Sequence, residues 1–124
     1  MNRSVGVVIC RMDEISDPGS RAFSIGEGAW PLRGFLVRRD RDVFAYVNRC
    51  PHAGHPLNMR PDEFLSADRA MILCNSHGAR FDLAKGVCIA GPCVGQALVS
   101  LPVRIEDGSV SIDGDPGELI ERYA

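Results

Sequence analysis

Cys50-Pro-His-Ala-Gly-His-Pro-Leu57 and Cys74-Asn-Ser-His-Gly-Ala-Arg-Phe-Asp-Leu83 are the two stretches on which the reading of this chain turns. Each sets one thiol and one imidazole on a tight turn beside an apolar run, Cys50 with His52 and Cys74 with His77. Gly54, Pro56 and Gly78 suit such turns. Two facing loops of this kind bring two sulfurs and two ring nitrogens to one inorganic centre. The concentration is informative, because all three histidines and four of the five cysteines lie between Val47 and Cys93.

Outward from these loops the apolar period is two. Runs rich in Val, Ile, Phe and Tyr occur at 5–10, 34–38, 43–47, 70–74, 97–105 and 109–112, and each reads as a short strand. Asp17-Pro-Gly19, Arg39-Asp-Arg41, Ala84-Lys-Gly86 and Asp107-Gly108 separate them as turns. Asp107-Gly108 between two apolar runs is a hairpin signal, since both residue types tolerate positive φ. Helix is scarce: a single turn is expected at 61–65, and a short helix at 116–123 with Asp115 as its cap and Pro116 in its first position. The pattern predicts an all-β antiparallel sandwich or barrel-like unit, with 1–124 as one domain.

The 124 residues carry 14 Lys+Arg against 16 Asp+Glu. That balance argues against nucleic acid or an anionic membrane as a partner. The longest apolar run near the start, Val5–Cys10, is too short to span a bilayer. A cytoplasmic location is expected.

Cys50-x-His52, then 21 residues, then Cys74-x-x-His77-Gly78 resembles the paired-loop signature of Rieske proteins. The resemblance runs through Arg49–Leu57 and His77–Leu83 to Gly86 and Gly91-Pro92. It implies a Rieske-type antiparallel β-sandwich with a small cluster-binding subdomain of two loops at about 48–93, and one 2Fe-2S cluster per chain, with Cys50 and Cys74 on one iron and His52 and His77 on the other. His55, Leu57, Gly78, Phe81 and Pro92 would surround the ligands. Neutral imidazoles in place of two thiolates remove negative charge from the first shell, which raises the family's potentials to roughly −150 to +300 mV.

High-potential respiratory members carry a hydroxyl residue just after the His-Gly pair and a tyrosine two positions on, where this chain has Ala79 and Phe81. They also join the two loops by a disulfide, at positions held here by His55 and Ser76. The chain therefore resembles the ferredoxin type, with a potential expected in the lower part of the range. The spacing between the ligand pairs exceeds that of many ferredoxin-type members, with the excess at Asn58–Leu65 read as an exposed loop or a partner surface.

The same residues admit other readings. A zinc site suits two Cys and two His, but Cys-x-His is cramped for a zinc knuckle. Covalent haem attachment lacks its second cysteine. His55 reads as a tuning or partner-facing residue at the cluster tip rather than a ligand. Cys10, Cys88 and Cys93 read as small apolar fillers, with a disulfide or redox switch as the alternative for Cys88 and Cys93. Gly91-Pro92 between them reads as a buttress for the cluster loops. Trp30, Phe35, Phe44, Tyr46 and Phe81 read as core, and Arg49, Arg60 and Arg80 as residues able to steer an acidic redox partner.

After His52 and His77 only His55 remains, too few histidines for a mononuclear iron site, and Gly26-Glu-Gly28 opens no dinucleotide fingerprint. The expected function is one-electron transfer rather than catalysis, from a flavin reductase to an oxygenase or a reductase subunit. A small subunit of a larger redox enzyme, similar to that of assimilatory nitrite reductase, is the second reading, and a structural zinc module the third.

Overall fold

β3 (Leu32–Arg39) and β4 (Asp42–Val47) set the layering, because both alternate between two buried faces. Leu32, Leu36, Val43, Ala45 and Val47 point into one core, and Phe35, Val37 and Tyr46 into another. Successive strand residues face opposite sides, so a sheet buried on both faces reads as a nearly continuous apolar run. In the computed structural model, which describes residues 6–28, 30–51, 54–75 and 78–124, this sheet is the middle layer.

Its full order is β2 (Gly19–Ile25), β3, β4, β8 (Ser100–Leu101), all antiparallel. On the aliphatic side lies a second sheet, β1 (Gly6–Arg11), β10 (Ser109–Asp113), β9 (Val103–Glu106). Cys10, Val110 and Ile112 from it join Leu36 and Val47 in one core. On the aromatic side lies a small third sheet, β5 (Ile72–Leu73), β6 (Arg80–Phe81), β7 (Cys88–Ala90).

The turn chemistry acts as expected at Asp107-Gly108, where φ values of 51° and 79° let two residues join β9 to β10. The helix α1 (Pro116–Tyr123) begins where expected, with the Asp115 carboxylate accepting from the Glu118 N–H at 3.2 Å and Leu119 buried in the aliphatic core. The 97–105 run divides at Pro102, which has no N–H for the ladder, and the chain passes there from the middle sheet to the outer one.

The expected turn of helix at 61–65 does not form. Asp62 takes φ 64°, and Leu65 instead bridges Ile72 as extended chain. β2, by contrast, was not legible as a strand. It is an edge strand of mixed polarity, and edge strands need carry no apolar alternation. Trp30, expected in the core, is 84% exposed.

Candidate metal centre

Two turns of the same construction carry Cys50 and Cys74. The Cys50 N–H donates to the His55 carbonyl at 2.9 Å, and the Gly54 N–H to the Cys50 carbonyl at 2.7 Å. The Cys74 N–H likewise donates to the Ala79 carbonyl and the Gly78 N–H to the Cys74 carbonyl, both at 2.9 Å. Gly54 and Gly78 have φ of 76° and 72°, and a Cβ on either would meet nothing within 4 Å. Glycine is needed there for the left-handed backbone rather than for space.

The loops are tied to each other through Leu57. Its carbonyl accepts from the Asn75 N–H at 2.9 Å, and its own N–H donates to the Asn48 side-chain oxygen at 2.9 Å. Asn48 also donates to the Asn58 side-chain oxygen at 3.0 Å. Asn48 thus pins the first loop from the end of β4, and Asn75 locks the second loop to it. Neither was singled out in the sequence, although an Asn two residues before a ligand-type Cys is the signal that would have found Asn48.

Cys50 and Cys74 are fully buried, in a core shared with Phe35, Tyr46, Leu57, Phe64, Ala79 and Phe81. Phe35 stacks on Phe64 at 4.3 Å between ring centroids. This anchors the 58–65 excess: its tip is exposed, with Met59 at the surface, but Phe64 is a core residue. The segment is further pinned to β2, where the Ser20 hydroxyl donates to the Asp62 carbonyl at 2.6 Å and the Asp62 carboxylate accepts from the Ala22 N–H at 2.7 Å.

Of the surrounding residues named from the sequence, Leu57 and Phe81 are buried, His55 is half-buried, and Gly78 and Pro92 are exposed. Gly91 lies against the second loop, since a Cβ on it would come within 2.8 Å of the Ala79 Cα. Arg49, Arg60 and Arg80 are exposed. His52 and His77 lie outside the described residues. Among the described residues no three Cys, His, Asp or Glu side chains gather closely enough to hold a metal. What is described is two buried thiols at the heads of matched loops, in apolar surroundings that keep water from sulfur. That chemistry fits an iron–sulfur cluster.

Fold and loops together define a small all-β domain with two buried thiols on paired turns. The chain belongs to the Rieske [2Fe-2S] domain family, whose model matches residues 6–106, and its cofactor is a 2Fe-2S cluster. Among solved structures it is similar to the ferredoxin of carbazole 1,9a-dioxygenase from Nocardioides aromaticivorans IC177, with 25% identity, a TM-score of 0.71, and 90% of this chain and 100% of that one covered. It is also similar to a Sphingomonas yanoikuyae B1 ferredoxin, with 27% identity, a TM-score of 0.66 and the same coverage. The terminal oxygenase of carbazole 1,9a-dioxygenase from Novosphingobium sp. KA1 matches at 25% identity and TM-score 0.70, over 92% of this chain but 30% of the oxygenase.

Proposed function

We propose that this chain is a Rieske-type ferredoxin of the cytoplasm, a one-electron carrier that takes electrons from a flavin-dependent reductase and delivers them to a terminal oxygenase, with no catalysis of its own. The observation that carries this reading is the pair of matched, mutually hydrogen-bonded loops holding Cys50 and Cys74 in a dry core. Cys50 and Cys74 would hold one iron and His52 and His77 the other, within 1–124 as a single domain whose cluster-binding part is about 48–93. When bound, the cluster supplies reversible one-electron redox chemistry.

The residues around it have distinct tasks. Leu57 and Phe81 exclude water from the sulfurs, and the Asn48 and Asn75 links hold the two loops at a constant separation while charge changes. Exposed Arg49, Arg60 and Arg80 favour an acidic partner surface. An oxygenase as acceptor is supported by a ferredoxin of this fold seen in complex with the oxygenase of carbazole 1,9a-dioxygenase, at 19% identity to this chain. No helix among the described residues is long and apolar enough to cross a membrane.

Anaerobically purified protein reduced with dithionite should give a rhombic EPR signal and contain two irons per chain. Mixed with an oxidised aromatic-ring oxygenase, the reduced protein should lose that signal rapidly. Stoichiometric zinc with no signal would refute the cluster assignment. A cluster that no flavin reductase can reduce would refute the carrier role.

A further inference from the structure

Cys88 and Cys93 have no place in the ligand set, yet they are neither scattered nor solvent-facing. Both are buried, and their sulfurs stand 2.7 Å apart. That is about 0.7 Å longer than a disulfide bond. The Cys93 thiol is directed at the Cys88 sulfur, and the Cys88 thiol donates to the Ala90 carbonyl at 3.3 Å. Two backbone bonds fix the approach: the Cys88 N–H donates to the Gln96 carbonyl at 2.8 Å, and the Gln96 N–H to the Cys93 carbonyl at 2.9 Å. Between the two cysteines runs the Gly91-Pro92 turn that rests on Ala79, next to the second cluster loop.

We propose that Cys88 and Cys93 are a redox-active dithiol that closes to an intramolecular disulfide by exchange with a low-molecular-weight disulfide. One cysteine thiolate attacks a sulfur of the small disulfide, releasing one small thiol and leaving a mixed disulfide. The other cysteine then displaces the second small thiol. The protein loses two hydrogens and two electrons, and the small disulfide gains them as two thiols. Closure ties β7 to the turn that covers the second cluster loop, so a two-electron thiol couple sits beside a one-electron centre.

The surroundings account for the behaviour of the reduced pair. Burial first, then the Cys88 thiol and the charge of Cys88 and Cys50, push the Cys93 thiol up to about 12. Cys93 is therefore held as a thiol, and the two sulfurs, both buried, are slow to react while the 91–95 turn stays closed. The disulfide buries no ionisable group, and the exposed Pro92, Val94 and Gly95 are the part of the cover that must open for exchange.

The test uses the cluster-loaded protein, incubated anaerobically in glutathione buffers from fully reduced to fully oxidised and approached from both the reduced and the diamide-oxidised side. Samples are quenched in acid, unfolded, alkylated and analysed by peptide mass spectrometry. Alkylation of Cys88 and Cys93 should disappear together over one buffer range from either side, with a peptide linking the two, while Cys10, Cys50 and Cys74 remain alkylatable. Cys93→Ser should abolish the linked peptide, and Cys88→Ser should do the same. Cysteines 88 and 93 that stay alkylatable after both oxidised glutathione and diamide would overturn the proposal, as would a link from either one to Cys50 or Cys74. Iron content on the same samples keeps this result separate from the cluster assignment, because the linked peptide reports the dithiol whether or not iron is bound.

Discussion

The two cores on either side of the middle sheet are built on different principles. The aliphatic core is walled by strands of four to eight residues and filled by Leu, Ile and Val, with Cys10 as its single cysteine. The other core is walled by the same sheet and by strands of two or three residues, and it holds four cysteines together with Phe35, Tyr46, Phe64 and Phe81. Long strands satisfy their backbone by ladders, whereas around the short ones turn hydrogen bonds and the Asn48 side chain supply partners, and stacked rings fill the space between. One half is thus shaped by periodic burial, and the other by loops that aim particular atoms.

Removing a proposed sulfur donor tests that division most strongly. Cys50→Ser should abolish iron binding and the visible absorption while leaving the β-sheet circular dichroism in place, since the aliphatic core does not include Cys50. A variant that loses sheet signal along with iron would mean the two halves fold as one unit.

The reverse experiment cuts into the aliphatic core. Leu36 is fully buried there, and Leu36→Ala should cost about 2–5 kcal/mol from lost burial and the cavity left behind. Urea unfolding followed by circular dichroism gives that cost. Below the transition the variant should bind iron as the parent does, and early loss of iron would show that strain crosses the middle sheet.

Tyr46 joins the two kinds of construction. It projects from a long strand into the cysteine-bearing core, and its hydroxyl donates to the Leu83 carbonyl at 2.6 Å. Burial first, then the Asp82 charge, raises the phenol from 10.0 to about 12. Below pH 10 the phenol is protonated in both folded and unfolded chains, and between pH 10 and about 12 only the unfolded chain ionises. The stabilisation present below pH 10 is therefore lost as pH climbs towards 12. Tyr46→Phe should cost about 1 kcal/mol at neutral pH and flatten this alkaline decline in a urea-midpoint series. An unchanged alkaline slope would assign the decline to another group.

The same contrast explains what was legible in the sequence. Alternation revealed β3, β4 and β10, and Asp107-Gly108 the hairpin of β9 with β10, because those elements follow from period and turn chemistry alone. The two Cys-His loops were legible for another reason, the repetition of Cys and His beside a glycine four residues after each Cys. β2 escaped because an edge strand need not alternate. Phe64 escaped because its burial depends on Phe35, 29 positions earlier, a partner that no local pattern names. The Cys88–Cys93 contact was legible only as the alternative to two apolar fillers: spacing placed both beside Gly91-Pro92, and the structure brings their sulfurs together through the Gln96 backbone bonds.

The smallest effect concerns tuning rather than integrity. Ala79 and Phe81 are fully buried beside the Cys74 loop and carry no hydroxyl. A hydroxyl donor near cluster sulfur favours the reduced, more negative state. Ala79→Ser combined with Phe81→Tyr should therefore raise the midpoint potential, by roughly 50 mV for each donor that reaches the cluster, equivalent to about 1 kcal/mol of preference for the reduced form. The parent should titrate below about +100 mV, in the lower part of the family range. Ala79 also bears the Gly91 contact, so Ala79→Ser alone separates a donor effect from a displaced turn. A rise in potential with iron retention unchanged marks the donor, whereas faster iron loss at constant potential marks the turn.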